Sequence, residues 1–159
     1  MLDKAPVADE KTDSASDNGL PAIGEPERDF PGLQEVQRLI ARRAGTQAIR
    51  SLDPMRRKHP DSAYLAFLQG TLYMDRSYWK DGFAAYRSAI SNDPRYREHP
   101  VLIDDAIRGL SSKSQPWRAS GFLVEAVGAS ARPALERRMQ ATSHAKTRSR
   151  MAALLKKLK

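Results

Sequence analysis

Three histidines and an adjacent pair of aspartates are the side chains in this 159-residue chain best suited to chemistry near neutral pH. His59, His99 and His144 lie far apart, and none stands one helical turn from another metal-ligating residue. His59 and His99 each precede a proline at an expected helix boundary, so surface histidines account for them better than zinc ligands. Asp104 and Asp105 are neighbours, which a helix points to different sides. They cannot face each other as general acid and base, and an exposed polar face accounts for them. The chain has no Ser/His/Asp spacing, no phosphate-cradling glycine loop and no cysteine. These residues predict no catalytic site, no metal and no cofactor, and therefore no enzyme.

The elements that would position such residues read as helices. From Phe30 onward, Leu33, Val36, Gln37, Ile40 and Ala41 recur at three- and four-residue steps, the stripe of an amphipathic helix ended by Gly45. A second helix starts at Thr46 with Ala48, Ile49, Leu52 and Met55 inward. Pro54 should kink it or end it early, because proline lacks a donor and clashes with the preceding turn. "PDSAYLAFLQGTLYMDR" is a third helix, capped by Asp61 or Ser62. "SYWKDGFAAYRSAISNDP" is a fourth, closed by the Asn-Asp-Pro turn at 92–94. "REHPVLIDDAIRGLSS", "QPWRASGFLVEAVGAS", "ARPALERRMQAT" and "HAKTRSRMAALLKKLK" complete eight expected helices, with Pro116 in a first helical turn. No segment alternates with period two for long, so an all-α fold is expected.

Charge divides the chain. Residues 1–29 are rich in Pro, Ser, Asp and Gly and carry a net charge of −5, which leaves +13 for the rest of a chain whose total is +8. They lack an apolar period and are expected to be a disordered acidic tail, a solubilising linker rather than a segment folded back on the basic body. The opening residues do not read as a signal peptide, and no apolar run is long enough to span a membrane. Absence of cysteine suits a reducing compartment, and a cytoplasmic location is expected.

An internal period organises the helices. Pro60 and Pro94 are 34 residues apart, and the same shift superimposes Val36 on Gly70, Leu39 on Tyr73, Ala48 on Gly82, Leu52 on Tyr86 and Met55 on Ala89. A fixed period of this size marks stacked helical units. Two antiparallel helices approach closely only where one offers glycine or alanine to a bulky partner. Gly70 and Gly82 are the expected contact points, with Tyr73, Phe83 and Tyr86 filling the groove between the helices. A weaker third unit spans 97–128, with Val101, Ile103, Ala106, Ile107 and Leu110 on one helix and Trp117, Phe122, Leu123 and Val127 on the next.

On these residues the chain resembles the tetratricopeptide repeat family. Gly70-x2-Tyr73, then Gly82-x3-Tyr86, Ala89 and Pro94 follow its pattern, with departures at Ala66, Gln69 and Gly82. The resemblance implies a right-handed helical-hairpin solenoid over 30–128. Residues 129–159 resemble a HEAT pair through "ARPALERRM" and "TRSRMAALLKKL". The whole order looks like the C-terminal region of some large bacterial serine/threonine protein kinases, although no kinase motif is present. That implies a non-catalytic appendage or a free-standing relative, acting as a protein–protein interaction scaffold or regulatory module.

Two surfaces follow as candidates. The resemblance places the first helix of each unit on the concave face, so Tyr64, Phe67, Thr71 and Met74 would line a groove for an apolar peptide segment, beside Phe30, Leu33, Gln37 and Ile40. Packing against the adjacent helix is the competing account of Tyr64, Phe67 and Met74. The second surface is basic. Residues 130–159 carry a net charge of +8, with Arg137, Arg138, Lys146, Arg148, Arg150 and Lys157 prominent. Such a face attracts nucleic acid, an anionic surface or an acidic partner. No stacking aromatic accompanies it, and a solvated cap on the last unit is the competing account.

Overall fold

The computed structural model describes residues 30–158, so the expected disorder of 1–29 lies outside the described residues. The all-α expectation holds among them, with no strand. Helices α1 (Leu33–Ala41), α2 (Gly45–Lys58), α3 (Ala63–Asp75) and α4 (Trp79–Asn92) follow one another through short turns. A 3-10 turn, Pro94–Glu98, leads into α5 (Pro100–Arg108) and a second one, Gly109–Ser111. Helix α6 (Pro116–Phe122) continues as a π turn (Leu123–Val127) and a 3-10 turn (Gly128–Ala131) into α7 (Arg132–Ala141) and α8 (Ala145–Lys157).

Consecutive helices pack as pairs: α1 with α2, α3 with α4, and α7 with α8, while α2 also meets α3 and α4 meets α6. The α3–α4 contact is the most extensive, and glycine explains it. A Cβ on Gly70 would stand 2.3 Å from the ring of Tyr86, so α4 presses its aromatic directly onto the α3 backbone. A Cβ on Gly82 would come within 2.9 Å of the Met74 side chain. Gly70 and Gly82 were the expected contact points and Tyr86 an expected partner, but Met74 takes the place against Gly82, while Tyr73 packs beside Tyr78 and Phe83 beside Trp79 and Phe122. Ser62, rather than Asp61, caps α3, its hydroxyl accepting from Leu65 N at 3.1 Å. Asn92 Nδ2 donates to the Pro60 carbonyl at 3.0 Å and ties the end of this hairpin to its start.

Two polar networks join the pairs. Arg56 donates to Gln69 Oε1 (3.2 Å) and Ser88 Oγ (3.2 Å), while Gln69 Nε2 donates to Asp53 Oδ1 (3.0 Å). Gln69, a departure from the repeat pattern, thus links α2, α3 and α4. Burial lowers the Arg56 guanidinium from its ordinary value. In the second network Tyr86 Oη donates to Asp105 Oδ2 at 2.5 Å and lies 3.3 Å from the Thr71 hydroxyl, and Arg108 pairs with Asp105 at 3.1 Å.

Several expectations are corrected. Pro54 does not end α2, which runs on to Lys58; the proline is exposed, where water can reach the carbonyl it leaves unbonded. The break after α1 is made by Arg43 in a left-handed conformation, and Gly45 is instead the first residue of α2. His99 is no surface residue. It is 2% exposed, its ring lies 4.4 Å from that of Phe67, and its Nδ1 accepts from Val101 N to cap α5. Asp105 is half-buried against Tyr86 rather than on an exposed polar face, while Asp104 is exposed. The single helix expected from Pro116 through Val127 has only seven residues of α-helix before it widens into the π turn. Trp117, expected inside, is 62% exposed.

Candidate interaction surface

The groove anticipated on α3 is interior. Tyr64, Phe67 and Met74 are buried, and Thr71 is half-buried with its hydroxyl donating to the Phe67 carbonyl at 2.9 Å. Helix α3 carries apolar residues on every side, and such a helix is enclosed by neighbours rather than exposed along one stripe. Here α2, α4 and α5 enclose it. Phe67 stacks among Tyr86, Tyr96 and His99. Of the neighbouring groove candidates, Phe30 is buried, Leu33 and Ile40 are half-buried, and Gln37 is exposed.

The basic residues divide. Arg137, Arg138, Lys146, Arg148 and Lys157 are exposed, whereas Arg150 is half-buried and donates to the Leu110 carbonyl at 2.7 Å. Arg148 donates to the Thr142 carbonyl. Lys146 and Arg150 share a cavity of about 590 Å³ with Ser111, Ser112, Lys113, His144 and Thr147. Arg137 and Arg138 line a different depression, beside Asp104. Lys157 is the last residue of α8, eleven residues beyond Lys146, which at helical rise is about 16 Å away. The six cations therefore do not form one patch.

A different surface emerges from the turns between helices. The Arg76 side chain lies 3.6 Å from a Cβ built on Gly45, so the turn after α3 abuts the turn after α1, and Ile40, Arg43 and Asp75 line the hollow between them. Arg108 donates to the Met74 carbonyl at 3.0 Å and lies over the Trp79 ring, and Gly109 packs against Trp79 and Ala119. Arg150 then reaches Leu110 from α8. Step by step these contacts align the turns at 42–44, 76–78, 109–115 and 142–144 along one edge of the molecule.

That edge is cationic and aromatic. Arg42, Arg43, Arg76, Lys113, His144 and Lys146 are exposed on it, with Asp75 and Asp81 the nearby acids. Tyr78 (47% exposed) and Trp117 (62%) are the large exposed apolar side chains among the described residues. Each has an arginine over its ring: Arg76 at 5.7 Å from the Tyr78 centroid, Arg118 at 4.4 Å from that of Trp117. An arginine over an aromatic face is attracted to the negative face of the ring.

The sequence carried one sign of this edge. Arg42 and Arg76 are one 34-residue period apart, so the repeat that aligns glycines also aligns turn cations. Nothing in the local pattern marked Trp117 as outward. Among the described residues no cluster of His, Cys, Asp or Glu could hold a metal ion, and no helix is long and apolar enough to cross a membrane. No protein-family model, curated protein or solved structure matches the chain.

Proposed function

We propose that this chain is a non-catalytic interaction module, a right-handed stack of tetratricopeptide-like hairpins closed by a HEAT-like pair, that binds an acidic segment of another protein along its turn edge. The fastening of α3 to α4 supports a preformed surface, because a partner then binds without the cost of ordering the site. The observation that carries the reading is the placement of Tyr78 and Trp117, both outward, both under arginines, on the edge where turn cations collect. Exposed aromatic and arginine side chains are the types that dominate binding energy at interfaces. Service to a bacterial serine/threonine kinase, in the same chain or in a partner, is part of this proposal and rests on the resemblance alone.

Single-stranded nucleic acid is the second reading, favoured by the same two aromatics, since bases stack on such rings beside cations. Fluorescence anisotropy of a dye-labelled glutamate-rich peptide and of dye-labelled oligo-dT, titrated with the chain, separates the two. Saturable peptide binding lost in Trp117→Ala with Arg118→Glu supports the first. Tighter oligo-dT binding, weakening steeply with salt, supports the second. Silence toward both ligands overturns both readings.

A further inference from the structure

From the cavity between the α5–α6 turn and the start of α8, we infer a binding site for a phosphate-class oxyanion. The cavity of about 590 Å³ is lined by Ser111, Lys113, His144, Lys146, Thr147 and Arg150, together with Ser112 and Ala145, and none of these is acidic. Helix α8 begins inside it. The backbone amides of Ala145, Lys146 and Thr147 precede the first bond of the helix, from Arg148 N to the His144 carbonyl, and no side chain caps them. Unsatisfied amides and the positive end of the helix dipole favour an anion there.

Two further observations point to a ligand rather than to a bare helix start. Thr147 is only 6% exposed, and no hydrogen bond to its hydroxyl occurs among the described residues. Among the described residues no polar side-chain atom is both sealed off and without a partner, so this hydroxyl is reachable from outside, and Thr147 lines the cavity. The first turn of α8 also carries Lys146 and Arg148 and no acid, the reverse of what a helix start prefers. An oxyanion seated on these amides satisfies the hydroxyl and offsets the misplaced positive charge together. Arg150, fixed on Leu110 O by one nitrogen, forms a wall that does not need ordering. The inference does not depend on the interaction-module reading, because a small anion needs no partner protein.

The test is a titration of the whole chain with inorganic phosphate, followed by amide NMR, with chloride at equal ionic strength as control. Phosphate should give saturable shifts at Ala145, Lys146 and Thr147. Lys113→Gln with Lys146→Gln should weaken it about tenfold, the loss expected for charge-assisted hydrogen bonds. Arg137→Gln with Arg138→Gln removes the same charge elsewhere and should leave it unchanged. Thr147→Val should weaken phosphate binding without lowering the thermal midpoint of the phosphate-free chain. Vesicles of phosphatidylcholine containing phosphatidic acid distinguish a lipid headgroup, which would bind and shift the same amides, from free phosphate. Linear, unsaturated shifts, or equal losses in the two charge pairs, would overturn the inference; so would unchanged binding in Thr147→Val. Failure of peptide binding in the same preparation leaves it standing.

Discussion

The α3–α4 hairpin and the stretch from Gly109 to Ala131, which follows α5, differ in how they use Gly70 and Gly82 on one side and Gly121 on the other. Gly70 and Gly82 are notches into which Tyr86 and Met74 fit, and the helices around them run thirteen and fourteen residues. Around Gly121 nothing lies within 4 Å of a built Cβ, and α6 ends after seven residues in a π turn. A glycine with nothing pressed against it gives a helix its entropy cost and no packing in return. The first region is built for rigidity. The second turns the chain and leaves Trp117 outward.

Substitutions can break or sharpen that contrast. Gly70→Ala should have the largest effect, because the intruding methyl meets a buried ring tethered to Asp105; a loss of about 3 kcal/mol in chemical denaturation is expected, at the upper end for overpacking. Tyr86→Phe should come next. It removes the hydroxyl that donates to Asp105, and a loss of about 2 kcal/mol is expected for a hydrogen bond to a charged group.

The same tyrosine predicts an alkaline limb. Burial, and next the Asp105 carboxylate, hold its hydroxyl well above the ordinary tyrosine value. A raised folded-state pKa gives stability that is intact below the unfolded value, about 10, and lost as pH rises through the folded one. Thermal midpoints of the native chain should fall above that pH, and Tyr86→Phe should flatten the fall. Burial also raises Asp105, against the Tyr86 hydrogen bond and the Arg108 charge.

Gly82→Ala should cost only about 1 kcal/mol, since Met74 can swing its flexible end aside and alanine favours the helix. Gly121→Ala should change sign, gaining up to about 1 kcal/mol. Equal losses at Gly70 and Gly121 would erase the distinction between the two regions.

Helix positions and the α3–α4 contact were legible in the sequence because they rest on local periodicity and on a spacing that repeats. The fates of His99, Asp105 and Trp117 were not. Each depends on which side of its helix a neighbour covers, and that is settled by elements distant in sequence, Phe67 for His99 and Tyr86 for Asp105. Pro54 misled because its clash is a local cost that an exposed position on α2 tolerates. The groove misled for a related reason: the repeat pattern identified α3 as a first helix, but only three enclosing helices decide that none of its faces is free. For the basic end, counting charges located the cations, whereas Arg150 and Arg148 were already committed to backbone carbonyls.

The Asp53–Gln69–Arg56–Ser88 seam has a consequence for assembly order. One period further along, those four positions are occupied by Arg87, Ile103, Ile90 and Phe122, and the last three are buried. The polar seam of the first joint is therefore replaced by apolar side chains at three equivalent positions of the second, whose own polar network, Tyr86–Asp105–Arg108, uses other residues. A shuffled or duplicated unit would set guanidinium against isoleucine, so each hairpin accepts one predecessor and one successor. The stack is addressed, not modular.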